Sequence, residues 1–305
     1  MIYVFIKDSI KNTGLARYTL GITVAKDVQV IYTDDLRTQA GIDYSDGIGI
    51  FAGYIPEEIN FFLSRFKKTY YVYSSPLGQA DMSSPHFYSV EIQLLVKLLH
   101  MREQKRLTNL IVTSQPLAER FNFICFPPVY ICNENSVIYT ENRYGYSFVG
   151  NNLRKHKNVV NTIAAISLLP PETIYVSDAE MYGGYSKMFD CHFSTCREQD
   201  DNKFQIMLST HKLAFQCSYS ESFNYLALEY AFHGIPCIVS PCIDWYPIPD
   251  CIVQNIDNPS KIWSVANDLL MEEKKYWSIS KELKTCAPLI NQMNIDLMKM
   301  KAKEL

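Results

Sequence analysis

The chain has 305 residues, 48% of them hydrophobic, and a formal net charge of −3. That length allows two domains of ordinary size, each able to bury a core, and the charge gives no drive toward nucleic acid or an anionic membrane. No apolar run reaches the ~18 residues of a spanning helix, and MIYVFIKDS reads as a short strand with no charged n-region or long h-region.

Short apolar strands alternate with amphipathic helices, the pattern of an α/β fold with parallel sheets. Ile2 to Ile6 is expected as a first strand, Lys11 to Leu15 as the turn after it, and Ala16 to Val24 as a helix. Strands follow at Gln29 to Tyr32 and Gly47 to Ala52, then a helix at Pro56 to Phe66 and a strand at Tyr70 to Tyr73 ending in Ser74-Ser75-Pro76. Glu91 to Gln104 is a long helix with Leu94, Leu95, Leu98 and Leu99 on one face. Leu110 to Thr113 is a strand, and Phe123 to Cys132 is the last strand and exit of a first domain at 1–135. The polar run from Asn133 to Arg143 is the linker.

The pattern then restarts in a second domain, 144–285. Tyr146 to Gly150, Thr173 to Ser177, Leu213 to Cys217, Cys237 to Ser240 and Cys251 to Gln254 read as strands. Val159 to Leu169, Phe204 to Ser209, Glu221 to His233 and Pro259 to Met271 read as helices, with helices at Glu273 to Cys286 and Leu289 to Lys303 closing the chain. His211 and Lys212 read as surface residues. None of the nine cysteines forms a C-x-x-C pair, and several lie in apolar runs. Buried reduced thiols in a cytoplasmic protein are the expectation, with no disulfide framework and no metal site.

Glu221 and Glu229 carry the most chemistry. They stand in CSYSESFNYLALEYAFHGIPCIVSP, 217–241, with seven residues between them. A helix starting near Phe223 presents free backbone N–H groups and the positive end of its dipole to an anion. Glu221 precedes that start, and Glu229 follows on the same side if the eight-residue step is read as two turns. Two solvated glutamates on an ordinary helix are the plain alternative. The pattern from Ser218 to Ser240, with Gly234-Ile235-Pro236 and an apolar strand behind it, resembles the donor-site signature of retaining GT-B glycosyltransferases of the group 1, family 4 type. Asn224 stands where that family has glycine, and Ala231-Phe232-His233 where it has small residues.

The resemblance implies a GT-B fold: two Rossmann-like domains facing a central cleft, ligands at the carboxyl ends of the strands, and the helix of 286–305 crossing back onto the first domain. Met293, Leu297 and Met300 offer an apolar stripe for that contact. It further implies a retaining transfer from a nucleoside-diphosphate sugar to an acceptor hydroxyl, with no cofactor and no metal. The leaving diphosphate then needs cations and helix N-termini. Lys157 matches the family lysine, Asn151 replaces its arginine, and Arg154 is the substitute charge; a solvated basic loop is the alternative. Glu221 would hold donor-sugar hydroxyls and support positive charge on the ring, and Glu229 the ribose. Gly150, Ser222, Phe223, Asn224 and Tyr225 complete the donor site, with Gly14 in the turn after the first strand. Asp178 to Asp190 matches the loop near the nucleotide base, and Trp245-Tyr246-Pro247 lines the cleft or packs a loop.

The family's first-domain histidine has no counterpart in Ser74 to Gln79; His86 comes later and reads as a loop residue. Three activities compete: transfer to a glycan, lipid or small acceptor; transfer to a modified base in DNA; and a GT-B-like binding module without catalysis. A basic face made of Arg65, Lys67, Lys68, Arg102, Lys105 and Arg106 would serve the second, but as many acids in 1–135 offset it. Donor sugar, base, acceptor and oligomeric state are not encoded in any motif.

Overall fold

A computed structural model describes residues 1–11, 13–74, 85–131, 137–150, 153–196 and 201–305. Strand β1 (Ile2–Ile6) is an unbroken run of β-branched and aromatic residues, and β2 (Val28–Tyr32), β3 (Ile48–Ala52), β4 (Lys68–Val72), β5 (Asn109–Val112) and β6 (Ile124–Cys125) are mostly apolar. They form one parallel sheet in the order β2-β1-β3-β4-β5-β6. The inner strands are buried on both faces, as a sheet covered by helices requires. The covering helices are α1 (Gly14–Leu20), α2 (Pro56–Ile59), α3 (Pro85–Glu103) and α4 (Gln115–Phe121). One side of the core is aromatic. Phe5 stacks on Phe51 at 5.2 Å and meets Phe62 edge-on at 5.4 Å, and Tyr44 stacks on Phe66 at 4.9 Å. Such pairs add about 0.5–1.5 kcal/mol each beyond their burial.

The second unit holds β7 (Tyr144–Ser147), α5 (Val159–Ile166), β8 (Ile174–Val176), α6 (Gly183–Phe189), β9 (Phe193–Thr195), α7 (Asp201–Ser209), β10 (His211–Gln216), α8 (Tyr225–Phe232), β11 (Cys237–Val239) and α9 (Pro259–Met271). Its parallel sheet has the order β11-β10-β7-β8-β9. The winding reverses between β7 and β10, which makes that crevice the topological switch point. The first compact unit comprises Met1–Ile131 together with Asn291–Leu305, and the second comprises Cys132–Ile290.

Helix α10 (Glu273–Lys301) runs unbroken through Pro288, where the sequence pattern predicts two helices. Proline removes one hydrogen bond, but each half is anchored separately. In the second unit Arg143 donates to Ser280 Oγ at 3.2 Å and to Tyr276 OH at 2.9 Å. In the first, Asn291 exchanges two 2.9 Å bonds with the Tyr130 backbone, and Asn294 donates to Pro128 O at 2.8 Å. The apolar stripe is therefore not the contact face: Met293 is 71% exposed, and Met300 is exposed too. The buried positions are Asn291 and Met298, because polar side chains answering exposed backbone groups set the helix's rotation.

Several boundaries also move. Pro56 to Phe66 is one helical turn plus a 3-10 turn, not a full helix, and only Ile124–Cys125 of the exit segment pairs as a strand. Cys251 to Gln254 is a 3-10 turn and a single bridge between Val239 and Ile252. The Asp178 to Asp190 loop folds into a 3-10 turn and α6, and β9 is a strand that the hydrophobic pattern does not predict.

Candidate active site

The site is built on the loops that leave β7 and β10 at the switch point. After β7 the chain turns at Gly150, whose φ of +74° is left-handed. A Cβ there would meet only the movable tip of the half-buried Leu226 side chain, so it is the backbone conformation that favours glycine. Its N–H donates to Ser177 Oγ at 3.0 Å, tying the β7 loop to the end of β8. Asn151 lies outside the described residues, as do Ser75 to Gln79 and the side chain of His86.

A 3-10 turn, Lys155–Lys157, carries the basic residues to Asn158, itself left-handed at φ +50°. Asn158 Nδ2 donates to Ile256 O at 2.8 Å. Tyr219 locks the same turn from the β10 side. Its N–H donates to His156 O at 2.7 Å, and its hydroxyl donates to Asp257 Oδ1 at 2.7 Å and accepts from Asn161 Nδ2 at 3.3 Å. Burial, followed by the Asp257 hydrogen bond, pushes the Tyr219 phenol up to about 12.

This framework holds Lys157 against Glu221. The lysine Nζ ion-pairs with Glu221 Oε1, which also accepts from Ser218 Oγ at 2.7 Å. Both side chains are largely buried, the carboxylate at 6% exposure. Burial also pushes up the nearby Cys242 thiol, whose Sγ donates to Ser218 O at 3.2 Å. Arg154, in contrast, is exposed and ion-pairs with none of the described residues. Sequence pattern alone could not pair Lys157 with Glu221 across 64 residues.

Helix α8 begins at Tyr225, not Phe223 or Glu221. Glu221 is thus off the helix, and the eight-residue step to Glu229 is not two turns of one face. The carboxylates meet different partners. Glu229 is 1% exposed and its Oε1 accepts from Gln205 Nε2 on α7 at 3.2 Å, while Gln205 Oε1 lies 2.7 Å from His233 Nε2. Burial lowers the His233 pKa.

Asn224 explains the departure from glycine: at φ +66° it occupies the left-handed region that asparagine tolerates. Its Oδ1 caps the Ala227 N–H at 3.0 Å, and its Nδ2 donates to Gln216 Oε1 at 2.9 Å. Gln216 in turn donates to Val149 O at 2.8 Å, so the two switch-point loops share one amide chain. Gln216 is legible in the sequence only as a polar residue inside an apolar strand. Phe223 stacks on Trp245 at 4.8 Å, and Trp245 Nε1 donates to Phe223 O; Trp245 therefore braces the helix start. Ser222 and Tyr225 are half-buried beside it. Gly14, first residue of α1 in the other unit, has open space around a Cβ, so packing does not demand it. Among the described residues, no group of three or more His, Cys, Asp or Glu side chains could hold a metal ion, and no helix is long and apolar enough to cross a membrane.

His211 corrects the surface reading. It is 0% exposed on β10, lies 4.7 Å from the Tyr175 ring, and places Nδ1 3.3 Å from Tyr230 OH. Burial lowers its pKa to about 3.

The architecture is that of the GT-B fold, two doubly wound α/β units. No protein-family model matches the chain, and no curated protein does. Among solved structures, sucrose-phosphate synthase of Thermosynechococcus elongatus is similar over 100% of this chain and 98% of its own, at TM-score 0.70 and 13% identity. HepE of Anabaena, in complex with UDP-glucose, is similar over 100% and 98%, at TM-score 0.68 and 12% identity. The N-terminal domain of trehalose-6-phosphate phosphatase of Candida albicans is similar over 99% and 95%, at TM-score 0.61 and 10% identity. At these identities the likeness is one of fold, and activity has to be argued from the site.

Proposed function

We propose that this chain is a retaining glycosyltransferase that moves a sugar from a nucleoside-diphosphate sugar to an acceptor hydroxyl, without an added metal, in the cytoplasm. The observation that carries the reading is the buried Lys157–Glu221 pair, fixed by Ser218 and Tyr219 beside the tight turn at Gly150 and the start of α8. A buried ion pair is costly unless it is used or fully hydrogen-bonded. Here the lysine would exchange part of its hold on Glu221 for the donor diphosphate. HepE, of the same fold, was solved with UDP-glucose and with UDP, so uridine is the first base to test.

In this mechanism Lys157 neutralises the charge that develops as the glycosidic bond breaks, with Arg154 assisting from solvent. Gly150 lets the backbone approach the phosphates, and Asn151 follows it in the sequence. Ser222, Phe223, Asn224 and Tyr225 present the helix start. Glu221, once Lys157 turns to the phosphate, holds sugar hydroxyls and stabilises positive charge on the ring. The departing phosphate takes the acceptor proton on the face it leaves, which retains the anomeric configuration. Glu229 would hold the ribose, reached by rearrangement of Gln205.

Thermal unfolding against UDP, GDP, ADP and their sugars tests the reading. A ligand at a hundred times its Kd should stabilise the chain by about 2.7 kcal/mol. With the binding donor in hand, NMR of the released sugar gives the anomeric outcome, and turnover should persist in EDTA. No shift with any nucleoside diphosphate, or a shift unchanged in Lys157→Ala, would overturn it.

A further inference from the structure

At the amino-terminal ends of β4 and β5 is a cavity of about 400 Å³ walled by Lys67, Lys68, Lys105 and Arg106 over a floor of Leu63 and Phe66. Among the described residues, no acidic side chain lines it. Three other cations of this unit are matched: Lys7 with Glu58 at 2.7 Å, Arg37 with Asp35 at 2.8 Å and Lys97 with Glu57 at 2.6 Å. Arg65 and Arg102 are spent on backbone carbonyls, those of Ala40 and Phe121. In the cavity only Lys68 is engaged, its Nζ donating to Leu305 O. Lys67, Lys105 and Arg106 form no ion pair with any described residue.

Lys105 has φ +58°. It closes α3: its N–H donates to Arg102 O at 3.0 Å, and the Arg106 N–H donates to Met101 O at 2.9 Å. Glycine or asparagine ordinarily fills that left-handed position, because a Cβ crowds the neighbouring carbonyl. A lysine here accepts strain and gains an ammonium on the cavity wall. Four cations lining one cavity, with no acidic side chain among its described residues, favour an anionic ligand.

We propose that this cavity binds a phosphate-bearing anion, with Lys67, Lys105 and Arg106 as its charge-assisted donors. The anion is either a free phosphate compound or a phospholipid headgroup, and the chemistry of the wall is the same for both. The site belongs wholly to the first unit and is separate from the Lys157 cluster.

The test uses the full chain carrying Lys157→Ala, which removes the main competing cation. Inorganic pyrophosphate is titrated calorimetrically at low salt, and co-sedimentation is measured with phosphatidylcholine vesicles with and without phosphatidylglycerol. Adding Lys105→Gly should weaken binding about tenfold, and adding Arg106→Gln should abolish it. Lys105→Gly relieves the left-handed strain, so its thermal midpoint should hold or rise, separating lost binding from lost folding. Pyrophosphate binding without vesicle capture assigns a free phosphate compound. Capture that needs phosphatidylglycerol and is lost in the same variants assigns a headgroup. No binding in either arm, or binding unchanged by both substitutions, overturns the proposal.

Discussion

Lys157 Nζ and Ser218 Oγ converge on a single oxygen of Glu221, Oε1. The Lys157–Glu221 pair thus divides two tasks between two residues, and their variants should separate. Lys157→Ala should lower both nucleoside-diphosphate affinity and kcat. Glu221→Gln keeps an acceptor for Ser218, so affinity should stay nearly intact while turnover falls roughly a hundredfold, about 2.7 kcal/mol of transition-state stabilisation. Calorimetry and steady-state rates on both variants check this. Normal turnover in Glu221→Gln would leave a nucleotide site but remove the sugar role.

Glu229 is expected to cost donor affinity on the order of 1.5–3 kcal/mol per charge-assisted bond when changed to alanine. Because Gln205 holds it in the free chain, Gln205→Ala should alter the same affinity in a smaller amount. Unchanged Kd values for the nucleoside diphosphate in Glu229→Ala would confine Glu229 to a structural role.

Gly150→Ala should destabilise by about 1–3 kcal/mol, since it adds left-handed strain. Leu226 meets the new Cβ only with its movable tip, so Leu226→Ala in the same chain should recover little of that loss. Urea denaturation of the two single variants and the double variant gives the coupling. Recovery of most of the loss in the double variant would mean that space, not conformation, demands glycine.

Asn224→Gly and Asn224→Ala should order in one direction. Glycine keeps the left-handed backbone and loses a few tenths of a kcal/mol of capping, whereas alanine loses the cap, about 1 kcal/mol, and adds strain. Both lose the bond to Gln216. Equal melting points for the two variants would contradict the conformational argument.

His211 is neutral when folded, with a pKa of about 3, and ordinary when unfolded, at about 6.5. The unfolded chain binds the extra proton between those values. Stability from this group is therefore complete above about pH 6.5 and is lost as pH falls toward 3, by about 2 kcal/mol between pH 7 and pH 5. His233, also lowered by burial, acts in the same direction. His211→Phe should flatten the pH dependence of urea unfolding; a slope equal to that of the unaltered chain would show that His211 titrates normally.

The alternation of strands and helices and the two-domain plan are legible from hydrophobic period and turn residues, because each is a property of neighbours in sequence, whereas the switch point is set by the strand order. Glu221, Lys157 and Gly150 stand out in the sequence as candidates through the family resemblance. The long-range choices are not legible there. That Lys157 meets Glu221, that Glu229 faces Gln205, and that α10 turns Asn291 and Met298 inward while Met293 stays exposed depend on segments far apart in sequence. His211 sits in a charged-looking dipeptide, yet the strand continues through it and the sheet buries it. Periodicity reports which face could be buried; the partner across the core, and the backbone groups it leaves to be satisfied, decide which face is.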